Sequence, residues 1–142
     1  MSQTGISDEF ADQLVSTCRP AVGDALRSVV YFTPDAFDVL YVRSDLYDGD
    51  TEKARSAKRV LIENERLGFS SSETYDELAP ERGMEPDIGE YEFTIRVFSD
   101  GFVNRVIVDD HGVLLTTNQL YLNDFEELAV SLRNQLAEQA GD

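Results

Sequence analysis

An α+β fold is predicted: a five-stranded antiparallel sheet flanked by helices, in the order helix, two strands, helix, three strands, helix. Three observations predict it. Residues 90–118 read as three short strands, EYEFTIRVF, FVNRVIV and VLLTT, joined by tight turns at Ser99-Asp100-Gly101 and Asp109-Asp110-His111-Gly112. Residues 28–43 read as a further hairpin. Apolar residues recur at helical spacing before, between and after these strands.

Taken in order, residues 1–5 are a frayed start, and Ser7 caps a first helix with Asp8 and Glu9 in its first turn, where negative charge suits the dipole. Phe10, Ala11, Leu14, Val15 and Cys18 share one face. Pro20 interrupts this helix or opens a short second turn that Gly23 ends. Ser28–Thr33 and Phe37–Arg43 are β-branched and aromatic runs around Thr33-Pro34-Asp35-Ala36, a turn for which proline is pre-set. Both runs are apolar on both sides, the pattern of central strands covered twice. A helix from Asp50 or Thr51 to Leu67 would bury Ala54, Ala57, Val60, Leu61 and Leu67, with Gly68 as its stop. Ser70 with Glu73 and Thr74 with Glu77 fit capping boxes, placing a short helix near Glu73–Ala79. Residues 80–89 hold two prolines and two glycines and read as a loop. Asn123 with Glu126 caps a last helix whose stripe is Phe125, Leu128, Ala129, Leu132 and Leu136, and residues 138–142 fray. Residues 1–142 are thus one domain, long enough to bury about two-thirds of the chain surface.

Charge narrows the function classes. Against 28 Asp and Glu stand 12 Lys and Arg, a net of −16 spread along the chain, and Lys53 and Lys58 are the only lysines. With no basic face to displace counterions from phosphates, direct nucleic-acid binding is disfavoured. No apolar run approaches the roughly 20 residues of a spanning helix, so no membrane is expected. The start MSQTGISDEF lacks the pattern of a secretory signal. Cys18 stands alone, which excludes an intrachain disulfide and a cysteine metal site, and reads as a small buried hydrophobe.

Candidate chemistry is sparse. His111 is the one histidine, and beside Asp109 and Asp110 it suggests a metal ligand or an acid–base group. The turn itself accounts for the same residues, with Gly112 in the left-handed position. No GxSxG elbow supports a hydrolase, and neither GxxxxGK[ST] nor GxGxxG is present to cradle phosphate. Asp45, Asp48, Asp50 and Glu52 crowd one loop but miss the EF-hand spacing. They read as a solvated acidic cap, and Glu90 with Glu92 as an outward edge. No cofactor and no metal is expected.

The three-strand meander yields the sharper inference. With Asp100-Gly101 as a two-residue turn, Phe93, Ile95 and Val97 fall opposite Val108, Val106 and Asn104 on a core face. The reverse face sets Arg96 opposite Arg105, beside Phe98, Val103 and Ile107. Like charges directly across a strand pair are destabilising, so a carboxylate is required. Glu63 or Glu65 of the second helix would supply it; the alternative donor is a partner or a small anion.

The acidic, lysine-poor profile resembles cytoplasmic proteins of salt-accumulating haloarchaea. Leu26–Asp45 (LRSVVYFTPDAFDVLYVRSD) resembles a family of small uncharacterised haloarchaeal proteins that has no assigned activity. The element order resembles the roadblock and wider profilin-like group, which implies strand order 2-1-5-4-3 and a dimerisation platform. The resulting expectation is a non-enzymatic interaction or regulatory module, cytoplasmic and homodimeric, with a protein partner or a second copy on its sheet. The alternative is a small-ligand sensor with a pocket lined by Tyr31, Tyr41, Phe98 and Arg96. A third is a hydrolase or metal enzyme using His111 with Asp109 or Asp110.

Self-repulsion at this charge destabilises the compact state, and molar salt shortens screening to about 3 Å. The melting temperature is therefore expected to rise with KCl; a melting temperature independent of KCl would contradict the reading.

Overall fold

A computed structural model describes residues 2–77 and 89–141. The helices are α1 (Asp8–Val22), α2 (Thr51–Glu65), α3 (Leu67–Glu77) and α4 (Leu122–Gly141), and the strands are β1 (Leu26–Phe32), β2 (Phe37–Val42), β3 (Thr94–Phe98), β4 (Gly101–Val108) and β5 (His111–Thr117). They form one antiparallel sheet in the order β2-β1-β5-β4-β3. This is the predicted arrangement.

Sheet side chains alternate between two faces, and helices cover both. On one, Val29, Tyr31, Val106, Val113 and Leu115 pack under Phe10, Leu14 and Cys18 of α1 and the full predicted stripe of α4. On the other, Val30, Phe32, Phe37, Val103, Ile107 and Leu114 pack under Ile62 of α2 and Phe69 of α3. Ser7 caps α1, its Oγ accepting from Phe10 N at 3.1 Å. The helix continues through Pro20 to Val22, where Gly23, at φ 69°, ends it. Burial pushes the Cys18 thiol up to about 12, as suits a core hydrophobe.

Several boundaries depart from expectation. β1 is central, but β2 is an edge strand: the apolar side chains on both of its sides are half-buried under α1 and α2 rather than by a further strand. In α2 the buried residues are Ala54, Lys58, Ile62 and Glu65, whereas Val60 and Leu67 are exposed. The helical face is rotated because two charged residues occupy core-facing positions. Gly68 is not a stop. It lies inside α3, where a Cβ would come within 2.5 Å of Arg105 Cζ and 2.6 Å of Ile107 Cδ1, so glycine permits the close approach of helix and sheet. α3 starts ahead of both expected capping boxes, and Ser71 and Thr74 instead bond back to the Leu67 and Ser70 carbonyls. Asn123 likewise falls inside α4, which runs on through residues 138–141, where fraying was expected. Of the expected loop at 80–89, residues 80–88 lie outside the described residues.

The meander keeps its face assignment and changes its register. The β3–β4 turn is Ser99-Asp100, so Arg96 pairs with Val103 and Arg105 with Thr94. The shift is two residues, which preserves which side each chain points to. Arg96 and Arg105 therefore share a face without standing directly opposite each other. Val97, expected on the core face, and Phe98, expected on the reverse face beside Arg96, are 74% and 55% exposed because β3 is the outer strand. In the second turn Asp109, at φ 53°, takes the left-handed position expected of Gly112. Gly112 sits within β5, its Cα side filled by the Phe32 ring.

Candidate functional site

The two arginines of the meander meet one carboxylate. Glu65, the last residue of α2, is 1% exposed and lies over the β3–β4 pair. Its Oε2 accepts from Arg96 Nε at 2.7 Å, and its Oε1 accepts from Arg105 Nη1 at 3.0 Å and Arg96 Nη2 at 3.3 Å. Arg105 Nη1 also reaches the Glu65 carbonyl at 3.4 Å, and Nη2 donates to Thr94 Oγ1 at 3.0 Å and Tyr91 Oη at 3.5 Å. The Tyr91 and Thr94 hydroxyls are themselves 2.7 Å apart. Arg105 is buried, and its Nε finds no partner among the described residues. The carboxylate required by the two arginines is thus Glu65, while Glu63 is exposed. Both of its oxygens are engaged, so the arrangement is built to hold α2 to the sheet.

The other expected ligand-face residues do not converge on it. Tyr31 and Tyr41 belong to the α1–α4 side, Tyr31 edge-on to Phe10 at 5.9 Å and Tyr41 under the Arg19 guanidinium at 5.2 Å. Phe98 and Arg96 belong to the α2 side. The sheet separates the two pairs, so no single pocket is lined by all four.

His111 begins β5 and is half-buried. Its Nδ1 shares a 2.5 Å hydrogen bond with the Tyr31 hydroxyl. Burial, with the Asp38 charge adding to it, pushes that hydroxyl up to about 12, so it stays protonated at neutral pH. Asp109 and Asp110 stay on the exposed turn.

The acidic loop is likewise divided among separate tasks. Asp45 takes Arg43 at 2.6 and 3.2 Å, Asp48 lies 3.5 Å from Lys53, and Asp50 caps α2 by accepting from Glu52 N and Lys53 N. Asp45, Asp48 and Asp50 thus each have their own local partner.

Two features escaped the sequence. The first is Asp38 on β2, whose carboxylate accepts from Gln3 N at 2.7 Å, Thr4 N at 3.0 Å, Thr4 Oγ1 at 2.5 Å and Ser2 Oγ at 2.8 Å. These bonds tie down the start of the chain and cover one end of the β2 edge. The second is a cleft beneath α2 holding Lys58, Arg27 and Tyr47. Its signal was present: Lys58 lies four residues from both Ala54 and Ile62, on the stripe that the helix buries.

A domain family of unknown function, DUF7522, matches residues 12–137, and the chain belongs to that family. No curated protein matches the chain. Among the described residues, no helix is long and apolar enough to cross a membrane.

The Asp38 clamp gives a pH-dependent contribution. Burial opposes its charge, but the hydrogen bonds from Gln3, Thr4 and Ser2 prevail and hold the carboxyl below its usual range. A carboxyl lowered in the folded state stabilises fully above its unfolded value of about 3.9 and loses that contribution as pH falls through its folded value. Asp38→Asn is expected to cost about 1 kcal/mol at neutral pH, a difference from wild type that shrinks in acid. Denaturant unfolding across pH reads it, and a deficit that stays constant into acid would contradict the clamp.

Proposed function

Because membership of a family of unknown function brings no activity to carry over, we propose from the geometry that the chain is a non-enzymatic interaction or regulatory module. It self-associates as a homodimer in the cytoplasm of a salt-accumulating haloarchaeon. The observation that carries this reading is the contrast between the two sheet edges. At β2 the terminal segment bonds to Asp38 and shields one end of the strand. At β3, Val97 and Phe98 project apolar surface, and among the described residues no strand pairs on its outer side. An open edge with exposed apolar side chains is a template for another strand. A second copy is the partner that fits without further assumption, since two antiparallel β3 edges related by a two-fold axis present the same patch to each other. The strand order supports likeness to the roadblock and profilin-like group, whose sheets resemble dimerisation platforms. The charge of −16 on each copy opposes association at low ionic strength, and molar salt screens it.

A second reading, small-ligand sensing, is favoured by the cleft under α2, which holds two cations that form no ion pair with a carboxylate of the described residues. The reading as a hydrolase or metal enzyme has weaker support, since His111 is bonded to a buried tyrosine hydroxyl.

Light scattering in molar KCl is expected to give the mass of a dimer, and Val97→Glu is expected to give the monomer with its fold intact. A wild-type mass that stays monomeric as concentration rises would overturn the proposal.

A further inference from the structure

The α2 side of the sheet changes character along its length. Beneath Ile62 it is wholly apolar, with Val30, Phe32 and Leu114. Toward the β1 start the same face turns polar: Ser28 and Thr116 are buried, their hydroxyls 2.5 Å apart. Over this polar floor opens a cleft of about 330 Å³, lined by Lys58 and Arg27 together with Leu61, Phe98 and Val103.

Lys58 is the unusual member. It is 3% exposed, yet no carboxylate among the described residues lies within 4 Å of its ammonium, and the same holds for Arg27. A buried lysine without an acidic partner carries a desolvation cost, which Tyr47 offsets only in part. In a chain with 28 acids and two lysines, leaving one lysine buried without a carboxylate runs against the whole composition. Burial pushes the ammonium below its usual range; Tyr47 works against the shift and the Arg27 charge works with it. Lys58 Nζ lies 5.5 Å from the centre of the Tyr47 ring. Tyr47 reaches that position from a strained backbone, with φ 55° followed by φ 54° at Asp48 and φ 73° at Gly49. A bulky residue in the left-handed region is a true outlier, and such strain gathers at ligand clamps.

We propose that this cleft binds a small organic anion, a carboxylate or phosphate joined to an apolar group, with Lys58 and Arg27 holding the anionic end. The apolar part lies against Leu61, Phe98 and Val103. Tyr47 caps the ammonium from the loop side, and Thr116 lines the floor. Asp100, exposed on the β3–β4 turn, is the one carboxylate among the described residues that lines the cleft, and it disfavours ligands carrying negative charge at both ends. The inference deepens the ligand-sensing reading and rests on it, independently of edge pairing.

Titration calorimetry on the full chain at constant ionic strength tests it, with benzoate and phenyl phosphate as probes and neutral benzyl alcohol as control. Saturable binding of one or both anions without binding of benzyl alcohol is expected, and the stronger of the two identifies the anionic group. Lys58→Met keeps the stem and removes the charge; it is expected to weaken binding by about tenfold or more, the scale of one charge-assisted hydrogen bond. Arg27→Gln is expected to act in the same direction, and it decides the matter should Lys58→Met fail to fold. Absence of saturable anion binding, equal binding of benzyl alcohol, or unchanged affinity in a folded Lys58→Met or in Arg27→Gln would overturn the proposal. Mass measured on the same samples separates the two ideas: a dimer that binds no anion refutes the site alone, and a monomer that binds refutes edge pairing alone.

Discussion

A single buried carboxylate, Glu65, joins four elements of this fold. It is the last residue of α2, and it accepts hydrogen bonds from Arg96 on β3 and Arg105 on β4. The chain then turns at Arg66 into α3, whose Gly68 lies against the same Arg105. Burying the Glu65 carboxylate and the Arg105 guanidinium has a large desolvation cost, and attraction offsets it only where geometry is good and the remaining donors find partners. Thr94, Tyr91 and the Glu65 carbonyl meet most of that need on Arg105. The constraint is mutual: β3 is short and outermost, and Arg96 is the side chain by which it is fastened to α2. Without that fastening the edge would keep its backbone ladder to β4, the Thr94–Arg105 bond and the packing of Ile95.

The two sheet faces divide the work of the protein. The α1–α4 face is a dense apolar layer in which Leu14, Leu132 and Leu136 are fully buried. At about 25 cal/mol per Å² of apolar surface, this layer carries the larger share of the hydrophobic stabilisation. The α2 face is mixed, with Ile62 and Phe69 over an apolar half and Lys58 and Glu65 over polar ground. A fold that secures its stability on one side can keep charged groups on the other. That is where the cleft, the strained Tyr47 loop and the exposed Phe98 come together.

How much of this could be read from the chain depended on how local the signal was. The α4 stripe was legible because all five of its positions are apolar and fall at helical spacing. The α2 stripe was not, because the true face carries Lys58 and Glu65, and hydropathy alone favours Val60 and Leu61. The strand order was an expectation from the resemblance of the element order to the roadblock and profilin-like group, whereas the β3–β4 register turned on choosing Ser99-Asp100 or Asp100-Gly101 as the turn. Sequence does not separate those two, but both place Arg96 and Arg105 on one side, so the need for a carboxylate survived the error. The Asp38 clamp joins residues more than thirty positions apart through hydrogen bonds, and no periodicity encodes it. Nor does any local rule place Tyr47 at positive φ.

The most direct test of the Glu65 account is a double-mutant cycle on unfolding free energy, with Glu65→Met, Arg105→Met and the pair. Glu65→Met leaves the buried Arg105 guanidinium uncompensated and is expected to cost about 3–5 kcal/mol, and Arg105→Met is expected to cost less, because Arg96 still holds the carboxylate. The double variant, which removes both charges, is expected to lose about 2–3 kcal/mol less than the sum of the two. Costs that add to within about 0.5 kcal/mol would show that the carboxylate and the guanidinium stabilise the fold independently, and would contradict the account.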